Sequence, residues 1–158
     1  MYAASTRPAY ALALAGALLL GGCAASPPSA VSPVHYPASP ASLPFSEAVQ
    51  DGDLLFLSGQ IGVLPGTLKL VPGGLRPEAA QALANIRAVV ESHGSSMDQV
   101  VKCTVFLADM AEWGDFNEVY RKAFPGKLPA RSALGASGLA LGARVEVECI
   151  AHVPAGGK

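Results

Sequence analysis

From residue 45 onward the hydrophobic positions of this chain switch between two spacings. Short stretches alternate apolar and polar with a period of two, the mark of strands half in a core. Longer stretches repeat their apolar residues every three or four positions, the mark of helices. Ala48-Val49-Gln50 and Asp53–Ser58 read as two strands joined at Asp51-Gly52, a two-residue turn signal. Gly59 to Gly74 is a Gly/Pro-rich loop, with 68–71 briefly extended. Pro77 fits the first turn of a helix in which Ala79, Leu83, Ile86 and Val90 form the stripe and Gly94 the stop. No Ser, Thr, Asp or Asn stands at the expected cap.

Val100–Leu107 is the third strand, with Cys103, Val105 and Leu107 on one face and Lys102, Thr104 and Phe106 on the other. Asp109 and Glu112 have the spacing of a capping box. The helix behind it buries Phe116, Val119, Tyr120, Ala123 and Phe124, an aromatic stripe read as core, and Pro125-Gly126 ends it. Two apolar runs, 130–134 and 145–151, flank a Gly/Ser/Ala connection and complete the order β-β-α-β-α-β-β. Such an order describes an α+β domain with its helices on one face of a sheet.

The last two strands carry the candidate chemistry. Arg131 opens the first. Glu146 and Glu148 share one face of the second. A guanidinium is a rigid fork for a carboxylate, and a glutamate on a facing strand can move a proton or hold a water. Spacing alone favours a plainer account, an edge-strand arginine and a solvated strand face.

Composition narrows the field. The chain has 158 residues, 51% hydrophobic and 15% charged, with net charge −1. That suits one domain with a core and leaves no electrostatic footprint for nucleic acid. The histidines at 35, 93 and 152 have no metal-ligand spacing, and no glycine loop could cradle phosphate. Neither a metal nor an organic cofactor is expected.

The first 44 residues read as address and tether. Arg7 precedes an apolar run from Ala9 to Leu20, too short to span a bilayer but suited to a secretory signal. Leu20-Gly21-Gly22-Cys23 resembles a bacterial lipobox, in which Cys23 becomes the lipidated N-terminus. Residues 1–22 are then the signal peptide. Residues 23–44, rich in Pro, Ser and Ala, are an extended tether that includes His35 and Tyr36. Residues 45–154 are the domain and 155–158 a tail. Ala24 is not Asp, so the expected location is the outer membrane of the cell envelope, on its periplasmic side.

The segments PFSEAV (44–49), LFLSGQI (55–61), 81–110, FNEVY (116–120), PARSA (129–133) and VEVECIA (145–151) come in one order. Together they resemble the RidA/YjgF family of reactive-intermediate deaminases, across nearly the whole domain. The resemblance implies a chorismate-mutase-like α+β fold with a mixed sheet and two helices on one face. It also implies a homotrimer with ligand sites between subunits. The face bearing Phe106 and Ile150 is in any case too apolar to stay wet.

The implied reaction is hydrolysis of 2-imino or 2-enamino acids to 2-keto acids and ammonia, without a cofactor. The family's site arginine falls on Arg131, which would hold the substrate carboxylate. Its catalytic glutamate falls on Glu146, which would activate water. Ser58, Gly59 and Asn117 match site-lining positions. Phe45 stands where members commonly carry Tyr, keeping an aromatic wall without the hydroxyl. Ala133 stands where many carry Cys. The alternative is a non-catalytic, carboxylate-binding or chaperone-like trimer of the envelope. Cys103 and Cys149 are expected as two buried free thiols. A disulfide requires neighbouring strands with Cα atoms within about 7 Å.

Overall fold

The computed structural model describes residues 34–36 and 43–155. The signal-like segment and Cys23 lie outside the described residues. Six strands form one sheet: β1 (Ala48–Asp51), β2 (Leu54–Leu57), β3 (Gln60–Ile61), β4 (Val100–Leu107), β5 (Ala130–Gly135) and β6 (Val145–His152). Their order is β1-β2-β6-β4-β5, and β3 also pairs with β6, beyond β2. Only β4 and β5 run parallel; the other pairs are antiparallel. Two helices, α1 (Leu75–Ser92) and α2 (Trp113–Ala123), complete the domain. A parallel pair needs a crossover, and α2 supplies it between β4 and β5.

Alternation assigns the two sheet faces. Leu55, Leu57, Cys103, Val105, Leu107, Val145, Val147, Cys149 and Ala151 are buried in one core cluster. Ala79, Leu83, Ile86 and Val90 of α1, Phe116 and Tyr120 of α2, and Phe124 just past its end belong to the same cluster. Both helices therefore cover one face. The opposite face carries Leu54, Phe56, Lys102, Thr104, Phe106, Glu146, Glu148 and Ile150, and Phe56 is 42% exposed there. An apolar side chain of that size on an open sheet marks a surface made to be covered.

Local chemistry sets the helix ends. The Gly94 N–H donates to the Glu91 carbonyl and the Ser95 N–H to the Val90 carbonyl, with Gly94 at φ 73°. This is the paired closure that a left-handed glycine permits, and it confirms the stop expected there. The start lies two residues before Pro77, at Leu75, because Gly74 at φ 83° turns the chain in. Ahead of the other helix, the Asp109 carboxylate accepts from the Ala111 N–H at 2.9 Å and so caps the short 3-10 turn Met110–Glu112 that leads into α2. The reciprocal half of the capping box is not made. Glu112 instead meets Arg144 through Nε and Nη2 at 2.8–3.0 Å. A charge-assisted pair outcompetes a neutral backbone donor.

Four expectations need correction. The first hairpin turns at Gly52-Asp53, not Asp51-Gly52, since Asp51 pairs with Leu54. Glycine with positive φ at the first central position suits this tight turn. Gln60–Ile61, taken as loop, is a strand on β6. His35, taken as tether, exchanges backbone hydrogen bonds with Gln50 at 2.8 and 2.9 Å. Finally, Cys103 and Cys149 are not free thiols but a disulfide, with Cα atoms 4.1 Å apart. β4 and β6 are neighbours, and their register sets the two cysteines directly opposite on the core face.

Candidate active site

Arg131 lies on β5 opposite Cys103, so its side chain leaves the sheet on the helix side, at the sheet's edge. The guanidinium carbon sits 4.6 Å from the Tyr120 ring centroid and 5.6 Å from that of Phe116. Its Nη2 donates to Oδ1 of Asn117, its one hydrogen-bond partner among the described residues. No carboxylate pairs with it among those residues. The cation is thus held by two aromatic rings and one amide, and its other donors remain free for an anion.

Beside it is a cavity of about 370 Å³. α2 lines one side with Trp113, Asn117, Tyr120 and Arg121; Leu128 and Pro129, leading into β5, line the other. Burial pushes the Tyr120 hydroxyl up to about 12, against the opposing pull of Arg131. That hydroxyl has no hydrogen-bond partner among the described residues.

Glu146 lies opposite Phe106 of β4 and Ile61 of β3, on the open face. Burial, and secondarily the charge of Glu148, raise its carboxyl above the ordinary range. Its carboxylate lies across Gly59, where an added Cβ would collide with Oε1 and stand 2.8 Å from Cδ. Gly59 therefore makes room for the carboxylate. Next to it, the Ser58 hydroxyl donates to the Ser46 carbonyl at 2.7 Å, and the Ser58 N–H to the Glu47 carbonyl at 3.0 Å. These bonds hold the segment that presents Phe45, 51% exposed, beside the strand leading to Gly59.

The predicted residues therefore fall into two groups. Arg131 and Asn117 are joined on the helix side. Ser58, Gly59 and Glu146 are joined around β3, with Phe45 next to Ser46. The expected facing of Arg131 and Glu146 is not found: β4 separates their strands, and they leave opposite faces of the sheet. One small substrate cannot touch both within one chain.

A model of the family described as Endoribonuclease L-PSP matches residues 37–153. The 2-iminobutanoate/2-iminopropanoate deaminase of Mus musculus is 46% identical over 114 residues, 72% of this chain and 84% of that protein. RidA from the Antarctic bacterium Psychrobacter superposes with a TM-score of 0.67 at 35% identity, covering 75% of this chain and 94% of that one. E. coli TdcF with bound serine gives 0.67 at 33% identity, covering 71% and 90%.

The chain belongs to this family, the RidA/YjgF family.

Its mixed sheet with two helices on one face is the fold of these RidA-type neighbours. Trp113, Tyr120, Leu128 and Pro129 join the arginine half of the site although none was singled out as a site residue. A signal was present for some of them. Trp113, Asn117, Tyr120 and Arg121 recur at i, i+4, i+7 and i+8, a second stripe on α2 beside the core stripe. Tyr120, read as core alone, serves both.

Gly59→Ala is expected to damage the site rather than the fold. Gly59 has no positive φ, so the backbone tolerates alanine. The atom in the way is the end of a flexible glutamate, which can swing aside. Turnover should fall by about 10²-fold, the scale of a misplacement near 1 Å, while the melting temperature stays near that of the wild type. A variant that melts normally and turns over normally would remove the carboxylate's placement at Gly59 from the mechanism.

Proposed function

We propose that this protein hydrolyses reactive 2-imino acids to 2-keto acids and ammonia, with each site built from two copies of the chain. The observation that carries the reading is Arg131: a guanidinium held by Asn117 and two rings, unpaired with any carboxylate among the described residues, beside a cavity of about 370 Å³. Several relatives named as 2-iminobutanoate/2-iminopropanoate deaminases support it. The endoribonuclease of the family's description is not carried over: a chain of net charge −1 has little to offer a polyphosphate backbone.

In this mechanism the substrate carboxylate takes the free donors of Arg131 in a bidentate pair. Glu146 of a neighbouring copy, with Gly59 and Ser58, closes the site from the other side. A water attacks the C=N carbon. Glu146 accepts the water's proton and delivers it to nitrogen, giving a carbinolamine. The hydroxyl proton then passes to nitrogen, the C–N bond breaks, and ammonia leaves a 2-keto acid. A carboxyl raised by burial is a better base near neutral pH than an ordinary one, and such a group contributes about 10²–10⁴-fold. The test is release of keto acid from an imine generated in place by an amino-acid oxidase. A rate no faster than buffer, with the keto acid still bound, would leave a carboxylate-binding protein, the reading that TdcF's bound serine favours.

The shared site makes assembly testable. Two groups on opposite faces meet only if another copy brings its own, and the exposed Phe56 on the open face is a surface for such packing. Light scattering on the chain from residue 24 onward should give three chain masses. A species that stays monomeric at high concentration would exclude the shared site.

The reading includes export and a lipid anchor at Cys23, placing the protein in the cell envelope, on the periplasmic side of the outer membrane. The Cys103–Cys149 disulfide supports an oxidising compartment. Metabolic labelling with a fatty-acid analogue should mark the wild type and not Cys23→Ser. Equal labelling of both would end the anchor proposal.

A further inference from the structure

We propose that the arginine half-site selects imino acids with a bulky apolar side chain, and that Trp113 is the residue that sets this preference. The proposal rests on the deaminase reading of the same site. The cavity measures about 370 Å³. Pockets of roughly 300–1,000 Å³ enclose drug-sized ligands, so this half-site, before a neighbouring copy closes it, has room beyond a three- or four-carbon imino acid.

The surplus volume has a chemical character. Arg131 and Asn117 fix where the carboxylate sits, with Trp113 to one side along α2 and Arg121 to the other. Trp113 stands four residues before Asn117 on the same stripe of α2, about 6 Å along the axis. Trp113 is 46% exposed and Leu128 61% exposed, both large and apolar, and both line this cavity from different segments. Pro129 adds a further apolar wall. A substituent on the carbon next to the imine, once the carboxylate is anchored, extends along α2 between the indole and Leu128. An aromatic or branched aliphatic group there removes both side chains from water.

Arg121, one turn beyond Asn117, also lines the cavity and defines the competing class, imino acids with a second carboxylate. Because Trp113 and Leu128 converge on the space and only one further cation does, the apolar class is the one inferred.

The experiment compares kcat/KM for imines generated in place from phenylalanine, alanine and glutamate. The wild type should favour the phenyl-bearing imine over the methyl-bearing one by at least about tenfold, since apolar groups gained or lost in a pocket change kcat/KM by roughly 10–200-fold. Trp113→Ala should lower that ratio by about tenfold, and Trp113→Phe should restore most of it. Leu128→Ala should shift it in the same direction. Trp113 is half exposed on the first turn of α2, so its removal does not threaten folding. Calorimetric binding of phenylpyruvate against pyruvate repeats the comparison without turnover, again with at least a tenfold preference expected. A ratio near one in both measurements, a ratio unmoved by Trp113→Ala, or the glutamate-derived imine as best substrate would overturn the proposal. If no imine is hydrolysed yet phenylpyruvate binds tenfold tighter than pyruvate, the deaminase reading fails and the pocket's preference stands.

Discussion

Arg131→Ala and Glu146→Gln are expected to lose turnover for different reasons and to different extents. Removing the guanidinium takes away carboxylate binding in ground state and transition state alike. Deaminase activity should fall to background, and 2-keto acids should no longer bind in calorimetry. Arg131→Lys should not rescue, because an ammonium cannot form the bidentate fork and would not spread over the Tyr120 and Phe116 rings in the same way. Glu146→Gln keeps the shape of the side chain but cannot accept a proton. It should still bind the keto acid while turnover falls by about 10²-fold or more. The two variants also separate the two halves of the site. Mixed trimers of Arg131→Ala and Glu146→Gln chains should regain activity, since some interfaces then combine an intact arginine half with an intact glutamate half. Two dead variants that stay dead after mixing would place both groups in one chain, against the observed faces of the sheet.

The pH dependence of Glu146 adds a check on the same residue. Burial, then the charge of Glu148, raises its carboxyl, so the folded state penalises the ionised form. The stabilising contribution is present at low pH and is lost as pH rises through the folded value. At neutral pH the wild type therefore carries a partly buried charge beside Glu148. Glu146→Gln should be at least as heat-stable as the wild type there, and the two should converge in acid. The acid limb of kcat/KM should lie above the ordinary glutamate range near 4.3. A Glu146→Gln protein that loses both activity and stability at pH 7 would contradict this account.

Most of the fold was legible because alternation and helical spacing are local signals. Val100–Leu107 reads as a strand, and it is one. The Gly94 stop and the aromatic stripe of α2 were equally plain. What depends on pairing was not legible. β3 is two residues long, too short for any period, and is held by lying on β6 and by the Asn85 amide of α1, which donates to the Ile61 carbonyl at 3.1 Å. The strand carrying Arg131 and that carrying Glu146 flank a connection of nine residues, which invites a hairpin. The sheet instead inserts β4 between them, and this sends the two groups to opposite faces. Sequence gave their identity through family likeness, but their separation follows only from register. Trp113 and Leu128 look like stray exposed apolar residues until α2 and the approach to β5 bring them to one cavity.

Reduction of Cys103–Cys149 is expected to be the largest loss of stability available without touching the site. The bridge joins residues 46 positions apart. In the chain-entropy model, closing a loop of that length restricts the unfolded chain by about 4 kcal/mol. For a domain of this size that corresponds to a fall in melting temperature on the order of 15 °C. Some of this is offset, because both sulfurs sit among core residues, Cys103 at 0% and Cys149 at 2% exposure, and reduced thiols still pack there as small hydrophobes. The reduced protein should therefore fold, at lower stability, with its sheet intact. The measurement is thermal unfolding with and without reductant, after alkylation under denaturing conditions has counted two free thiols in the reduced sample. A Cys103→Ala, Cys149→Ala protein should melt low in both and ignore the reductant. If the fully reduced wild type melts within about 2 °C of the oxidised one, the bridge has no stabilising role. The same alkylation bears on location. Chains made without residues 1–22 stay in a reducing cytoplasm and should yield two thiols per chain from the domain. Exported chains should yield none. Under the proposed export, the leader would deliver the chain to the kind of compartment in which such a bridge persists.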